Sequence, residues 1–569
     1  MLASKSGTLF RCACFCVLLT NSATKAGMAA PASDTPTAIT THMGGTLRLV
    51  AASSGGTLDP QINYSAKYIN LFANVYDGLT TFRKADGLAG ADVVPDLAED
   101  LPQPEDGGLT YTFRLREGIT FSNGQPVATA DVVTSFRRIF RVGSPTAGAF
   151  YGAIKGADAC LRSPADCKLE GVVENPATRS ITFHLTTPDT EFLHKLAFTH
   201  AVILPANAPD HDTGNVPLPS TGPYQLTAYD PNRFLKLERN PYFKEWNAQA
   251  QPFGYPDRID YTFGIPDEAA VTAVENGQYD WMADPIPLDR LGELGSRFAS
   301  QTHVLRHPAM YFLPMNMREA PFSSLKARQA VNYALNRKAM TILYGGPAIA
   351  RPLCGMLPST LPASSTQCFY TKDASPESPA PMWRGTDMEK ARNLVRESGT
   401  YGQKVTVIAA NTSVDLAMGA WVRDMLQNLG YRANLRPLSS ALAFSYMQNS
   451  DNHVQIGVAS WSADYPSASN FLDALLGCEN IHPGSDSSIN IPGFCNQDVQ
   501  SLMDKAKTDV SLSAQAQNAL WQEADRRVME QAPVAPAIEK DAVILTSPRL
   551  KNLLFTTVNQ LLFSQAWVQ

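Results

Sequence analysis

The chain has 569 residues, more than one hydrophobic core usually serves, so its length predicts roughly three or four structural units. With 44% hydrophobic and 18% charged residues, the composition is that of a folded globular protein and excludes a disordered chain or a fibre. The formal net charge of -6 disfavours polyanionic partners, so we expect no binding to nucleic acid or anionic lipid.

The first 30 residues are typical of a secretory signal peptide. Lys5 and Arg11 precede the apolar run 12–19, and a stretch of small residues follows it. The run is far shorter than the ~20 residues of a membrane span, and a buried N-terminal strand is the alternative. Residues 31–44 lack periodicity and predict a flexible leader. We therefore expect an exported protein.

Nine cysteines divide into three inside the predicted signal and six that lie in neighbouring pairs. The pairs predict three local disulfides and an oxidising compartment. A metal site is the alternative, but the CxxC spacing that zinc sites favour is absent. The predicted disulfide pairs are Cys160/Cys167, Cys354/Cys368 and Cys478/Cys495.

The first elements predict a mixed α/β start. Alternating leucines over 44–53 predict a strand, and apolar residues at helical spacing over 66–76 predict a helix that ends before Gly78. Residues 109–140 then predict a strand, a short strand, a turn and a helix capped by Thr129.

The second half alternates helix and strand, which is typical of a wound α/β lobe. Residues 324–346 predict one strong amphipathic helix that ends at two glycines. Residues 387–399 predict another helix and 404–410 a strand, and the alternation continues to residue 461.

The sequence carries no recognisable catalytic motif. It has no G-x-S-x-G, no H-E-x-x-H and no Gly-Lys dipeptide, which excludes a P-loop. His303 and His307 share i,i+4 spacing, but Pro308 follows at once, so we interpret them as surface or core residues. We expect no catalytic residues, no metal and no cofactor.

Five stretches in chain order carry a family resemblance: NVYDGLTTF (74–82), VVPDLAEDLPQPEDGGLTYTFRLREGITFSNGQPVATADVV (93–133), STGPYQLTAYDPNRFLKLERNPYF (220–243), VENGQYDW (274–281) and APFSSLKARQAVNYALNRKAM (320–340). The chain resembles, over nearly its whole mature length, the family-5 extracellular solute-binding proteins. These are the periplasmic oligopeptide- and dipeptide-binding components of ABC importers.

The resemblance implies an α/β fold, a two-lobed periplasmic-binding-protein clamshell of the class II type with an additional subdomain. Such a protein closes around its solute and presents it to the membrane permease of an ABC importer. It also implies a periplasmic location and a monomer. The implied boundaries are a first lobe over 45–81, 205–305 and 531–569, an extra subdomain over 82–204 and a second lobe over 306–530.

The segment SWSADYPSASNFL (460–472) places one acid, Asp464, among aromatic residues without a basic neighbour. In peptide-binding relatives, the similar segment carries an aspartate that meets the peptide's α-ammonium group and a tryptophan three residues earlier, where this chain has Trp461. A charge-assisted bond of this kind contributes about 1.5–3 kcal/mol. The alternatives for Asp464 are a helix cap and a pair with a distant arginine. Weaker predicted pocket residues are Tyr64, Tyr465, Asn470 and Phe471.

Two departures leave the solute open. Ser467-Ala468 stands where many relatives have Asp-Pro, and Val458 stands where some peptide binders carry an arginine. The leading hypothesis is a receptor for a short peptide, held by its free amino terminus. The alternatives are the same transport role with an opine, an oligosaccharide or another non-peptide solute and, in a different class, an exported hydrolase or chaperone-like protein.

Overall fold

The computed structural model describes residues 42–486, 488–558 and 560–569. The predicted signal peptide and all but the end of the predicted leader lie outside these residues. Within the described ranges, no helix combines the length and the apolar character that crossing a membrane requires.

The described residues form strands and helices in a mixed order. The strands are β1 (Thr46–Val50), β2 (Thr80–Phe82), β3 (Val93–Pro95), β4 (Thr110–Arg114), β5 (Val172–Asn175), β6 (Ser180–His184), β7 (Tyr224–Asp230), β8 (Phe234–Arg239), β9 (Arg258–Thr262), β10 (Trp281–Met282), β11 (Thr302–Leu305), β12 (Ala309–Pro314), β13 (Ala350–Pro352), β14 (Lys404–Ala410), β15 (Arg432–Leu438), β16 (Ile456–Gly457), β17 (Ala459–Ser462), β18 (Val534–Lys540), β19 (Ala542–Leu545), β20 (Leu550–Lys551), β21 (Phe555–Thr556), β22 (Gln560–Leu561) and β23 (Trp567–Val568). The helices are α1 (Ala66–Phe72), α2 (Thr129–Arg141), α3 (Ala147–Tyr151), α4 (Ala157–Arg162), α5 (Phe192–Leu196), α6 (Asp267–Glu275), α7 (Leu291–Arg297), α8 (Leu325–Ala334), α9 (Arg337–Leu343), α10 (Met388–Glu397), α11 (Ser413–Asn428), α12 (Ser440–Gln448), α13 (Ser469–Leu476), α14 (Gln497–Thr508) and α15 (Ala514–Gln531).

A five-stranded sheet, in the order β10-β1-β9-β8-β7, forms the first large layer. Strand β1 is parallel to β9 and β10, whereas β7, β8 and β9 follow one another antiparallel. Leu47 and Leu49 of β1 are fully buried in its core, as the predicted alternation requires. The predicted first strand is therefore confirmed.

Two further sheets form the second large layer. One is antiparallel, in the order β13-β18-β12-β17, and the other is parallel, in the order β15-β14-β16. Helix α11 connects β14 to β15 and buries Val422 and Leu426 against the parallel sheet. This is the wound α/β arrangement that the alternation of helix and strand predicts.

A three-stranded antiparallel sheet, β4-β6-β5, forms a separate core with α2, which we call the subdomain core. The apolar face of α2 meets this sheet, and the ring centroids of Phe136 and Phe183 lie 4.9 Å apart.

The C-terminal part of the chain pairs with strands from the middle of the chain. Strand β18 pairs with β12 in the antiparallel sheet of the second layer, and β19 pairs with β11 in a separate two-stranded sheet. Residues 534–540 thus share a sheet with residues 309–314, while the lobe boundaries themselves stay predictions.

The structure corrects two of the helix predictions. The helix predicted over 324–346 is two helices, α8 and α9, because Asn336 leaves the helical conformation and its side chain caps α9, accepting from Ala339 N at 3.0 Å. The prediction that Thr129 caps α2 is wrong. Ala128 holds the cap position, and the Thr129 hydroxyl instead donates to Glu174.

All three predicted disulfides are confirmed. The Cα–Cα distances are 4.4 Å for Cys160–Cys167, 4.9 Å for Cys354–Cys368 and 4.7 Å for Cys478–Cys495. Each bridge closes a short loop, as neighbouring cysteines predict.

A buried ion pair joins α2 to the loop that leads into α1. Arg138 Nη1 donates to Asp59 Oδ1 at 3.0 Å and to Gln61 Oε1 at 2.9 Å, and Arg138 Nη2 donates to the second Asp59 oxygen. The Arg138 side chain is 1% exposed and the Asp59 side chain is not exposed. Each charge is therefore satisfied only by the protein.

We predict that Asp59→Ala lowers the free energy of unfolding by about 3–5 kcal/mol, because it leaves the Arg138 charge buried and unpaired. Glu397→Ala is the control, since it breaks the ion pair between Glu397 and Lys326, whose side chains are 54% and 52% exposed. The control should cost less than about 1 kcal/mol. Chemical unfolding at pH 7 measures both variants, and equal losses would contradict the prediction.

Candidate functional site

A cavity of about 340 Å³ lies between α1 and the segment that carries Asp464. Its walls come from Tyr64 and one face of α1, and from four further groups: Tyr76, Gly78 and residues 80–82; residues 197–199 and Val202; residues 461–464; and Val558 with Gln560. The α1 face is Ala66, Ile69, Asn70 and Ala73, which have the i, i+3, i+4 and i+7 spacing of one helix side. The cavity volume is at the lower end of the range for small-molecule sites.

Asp464 lies on the cavity wall with neutral partners. Tyr64 Oη donates to Asp464 Oδ1, and Asn470 Nδ2 donates to Oδ2 at 3.0 Å. The Asn470 side chain also accepts from Asp464 N at 3.0 Å, so Asn470 holds both the backbone and the carboxylate of Asp464. The alternative that Asp464 caps a helix is not supported, because the cap position of α13 belongs to Ala468.

Within the described part of the chain, the partners of this carboxylate carry no positive charge. Burial raises the pKa of Asp464, and the hydrogen bonds from Tyr64 and Asn470 oppose that rise. Burial and the Asp464 charge raise the pKa of Tyr64, so its hydroxyl stays protonated and donates. Behind Tyr64, burial lowers the pKa of His200 to about 4, so this ring is neutral at pH 7. Among the described residues, those that line the cavity include no lysine, arginine or histidine.

Trp461 forms the wall beside Asp464. Its Nε1 donates to Asn470 O at 2.8 Å, and its ring stacks on Phe444 with a centroid distance of 6.2 Å. Of the predicted pocket residues, Tyr64, Trp461 and Asp464 line the cavity, and Asn470 supports Asp464 from behind.

The structure does not bring the other two predicted residues to the cavity. Phe471 is fully buried in the core beneath α13. Tyr465 is 4% exposed and inserts into the subdomain core, where its ring centroid lies 5.5 Å from that of Phe150. The reason is geometric, because the chain turns at Pro466 and neighbouring side chains then point to different cores.

Glu191 fixes this turn from the subdomain, and sequence reasoning did not identify it. The buried Glu191 carboxylate accepts hydrogen bonds from Tyr465 Oη at 3.1 Å, from Ser467 Oγ and from Ser469 Oγ. We call Glu191 and these three hydroxyl donors the Glu191 cluster. The signal that the sequence offered was Ser467, which stands where many relatives have an aspartate. Its hydroxyl is one of the three donors to Glu191.

The family of the chain follows from comparison with known proteins. Residues 92–483 match the model of the bacterial extracellular solute-binding proteins, family 5 (middle). The match covers more than half of the chain, so the chain belongs to this family. The protein is therefore an extracellular or periplasmic solute-binding protein that serves an ABC importer, and it is not an enzyme.

Similar proteins carry names for several solutes. Heme-binding protein A of Haemophilus influenzae is 25% identical over 505 residues, which cover 84% of this chain and 84% of that protein. Glutathione-binding protein GsiB of Salmonella typhi is 26% identical over 499 residues, covering 84% of this chain and 88% of GsiB. The solved structure of clavulanic acid biosynthesis oligopeptide binding protein 2 matches with a TM-score of 0.82 at 25% identity, covering 93% of this chain and 96% of that chain. The fold is thus confirmed as the two-lobed clamshell of periplasmic binding proteins with an additional subdomain.

We predict that Ser469→Ala lowers the free energy of unfolding by about 1–3 kcal/mol, because it removes a donor from the buried Glu191 carboxylate. Ser462→Ala is the matched control in the same segment, since Ser462 is exposed on the cavity wall and its side chain should matter by less than about 0.5 kcal/mol. Chemical unfolding of the solute-free protein compares them. A Ser469→Ala loss no larger than that of the control would show that the Glu191 cluster does not stabilise the fold.

Proposed function

We propose that the protein captures a short peptide by its free α-ammonium group at Asp464 and delivers it to an ABC importer. The observation that carries this proposal is the Asp464 carboxylate on the cavity wall, which accepts from two hydrogen-bond donors but has no cationic partner among residues 42–486, 488–558 and 560–569. A primary ammonium supplies the missing charge and further donors. In contrast, Arg138 already neutralises Asp59 inside the protein, so Asp59 has no need of a solute.

The aromatic residues beside Asp464 favour the same ligand group. The aromatic residues Tyr64 and Trp461 line the cavity together with the Asp464 carboxylate. An ammonium near such rings gains cation–π attraction of about 0.5–2 kcal/mol in addition to the charge-assisted hydrogen bond. The cavity volume of about 340 Å³ suits a small solute better than a macrocycle such as haem.

The relatives' names fit this solute class. One similar protein is named for oligopeptide binding and another for glutathione, which is itself a peptide with a free ammonium group. The predicted exported location, the predicted monomer and the membrane permease as partner complete the proposal. Closure of the two lobes around the solute would then be the signal that the permease recognises.

We predict that Asp464→Asn weakens the binding of a free-amino tripeptide at least about tenfold, because the ammonium loses its charged acceptor. N-acetylation of the peptide should weaken binding to the wild type by a similar factor and should add little to the variant. Asp424→Asn, an acid 56% exposed and paired with its neighbour Arg423, is the control and should bind as the wild type does. Isothermal titration calorimetry measures the affinity of each of the three proteins for each of the two peptides. Equal affinity of the acetylated and free peptides for the wild type would refute the proposal, and opines or sugars that bind instead would identify a non-peptide solute.

Affinity should also depend on pH through Asp464. The carboxylate must be ionised to pair with the ammonium, and burial raises the pKa of Asp464 in the solute-free protein above the ordinary value of 3.8. Binding is therefore complete above the raised pKa and weakens as the pH falls through it, at a higher pH than for an ordinary aspartate. As the pH is lowered from 7.5, the dissociation constant should rise for the wild type and stay nearly flat for Asp464→Asn. Parallel curves for the two proteins would assign the pH dependence to another group.

A further inference from the structure

Asn70 is a second polar residue on the cavity wall, among apolar neighbours. Asn70 lines the cavity from α1 and is 3% exposed, yet neither its Nδ2 nor its Oδ1 has a hydrogen-bond partner among the described residues. Thr199, which also lines the cavity, is 8% exposed, and its hydroxyl is likewise unpartnered within the described part of the chain. Two polar side chains thus meet in one cavity without protein partners.

Buried polar groups without partners are rare because each costs free energy. An unpaired donor or acceptor costs about 1–3 kcal/mol, and Asn70 has one of each. Asn74, one helical turn later, shows the usual arrangement: its Nδ2 donates to Asn70 O at 2.9 Å and its Oδ1 accepts from Ser564 N at 3.1 Å. The two asparagines are neighbours on one segment, so the difference arises from what each side chain faces.

The surroundings of Asn70 narrow the chemistry of its partner. Neighbouring cavity residues are apolar and include Ile69, Phe198 and Val202. A partner that satisfies Asn70 must offer an acceptor to Nδ2 and a donor to Oδ1 from nearly the same place. A carboxylate or an ester offers only acceptors, and an ammonium only donors. The C=O and N–H of one trans amide point in opposite directions, but the N–H and C=O of one residue in an extended peptide lie on the same edge and offer a donor and an acceptor together.

We propose that the Asn70 carboxamide binds the main-chain N–H and C=O of one solute residue through both of its polar atoms, while Thr199 supplies one further hydrogen bond. This inference rests on the proposed function and deepens it. The solute carries an ammonium group at Asp464, a main-chain N–H and C=O within reach of Asn70 and a small side chain among the apolar residues. A short peptide with a small first residue has this pattern, whereas a sugar or a simple amine does not.

The stability of the solute-free protein supplies the first test of the role of Asn70. Asn70→Ala removes two unpartnered polar atoms, so it should leave the melting temperature of the solute-free protein unchanged or raise it. Asn74→Ala is the matched control, because it leaves the buried Ser564 N–H without its acceptor and should lower the melting temperature. A loss of stability in Asn70→Ala equal to that in Asn74→Ala would overturn the assignment, since it would give Asn70 a structural role.

Binding supplies the second test. Tri-alanine and the analogue in which an ester oxygen replaces its first amide N–H both keep the free ammonium. Wild-type protein should bind tri-alanine about tenfold or more tightly than the ester, because the ester leaves Asn70 Oδ1 unpaired. The amide-to-ester ratio should fall to within about twofold in Asn70→Ala and persist in Asn74→Ala. A ratio that persists in Asn70→Ala overturns the inference.

The two tests separate this inference from the proposed function. If tri-alanine binds and N-acetylation abolishes binding, but Asn70→Ala keeps the amide-to-ester ratio, only the role of Asn70 fails. If tri-alanine binds neither the wild type nor Asn70→Ala, peptide capture fails for this probe. The melting temperatures of Asn70→Ala and Asn74→Ala then still decide whether Asn70 has a structural role.

Discussion

The buried carboxylate of Glu191 is the constraint on which the rest of the site depends. It accepts hydrogen bonds from the hydroxyl groups of Tyr465, Ser467 and Ser469, which are 274 to 278 residues away in sequence. A buried carboxylate is costly unless donors surround it, so these three residues are held in one arrangement. Asp464 directly precedes them, and its position on the cavity wall is therefore fixed by a contact that no solute makes.

Three buried or half-buried acids show how the same cost is met in different ways. Asp59 is neutralised by Arg138, and Glu191 is solvated by three hydroxyls. Asp464 receives two neutral donors, from Tyr64 and Asn470, and burial still raises its pKa. The first two arrangements are complete within the protein. The third would gain a charged partner if a cation bound, and this is why we propose Asp464 as a binding group.

The fold could be predicted from the sequence to a large extent because its signals are local: alternation in β1, neighbouring cysteines and ordered family landmarks. The site could be predicted only where one segment carries it, at Trp461 and Asp464. Tyr465 was placed in the pocket because sequence order does not show that the chain turns at Pro466 toward another core. Asn70 was passed over because helical periodicity cannot tell whether a face meets a core or a cavity.

Asn70 and Asp464 belong to parts of the chain that the predicted boundaries assign to different lobes. A solute that touches only one of them gains the same free energy in the open and the closed form, and so cannot favour closure. A solute that reaches both gains the second contact only when the lobes are together, and the population of the closed form rises by that difference. If both proposals hold, the Asn70 carboxamide and the Asp464 carboxylate would each bind one solute group from a different lobe, so that recognition of the two groups would itself favour closure.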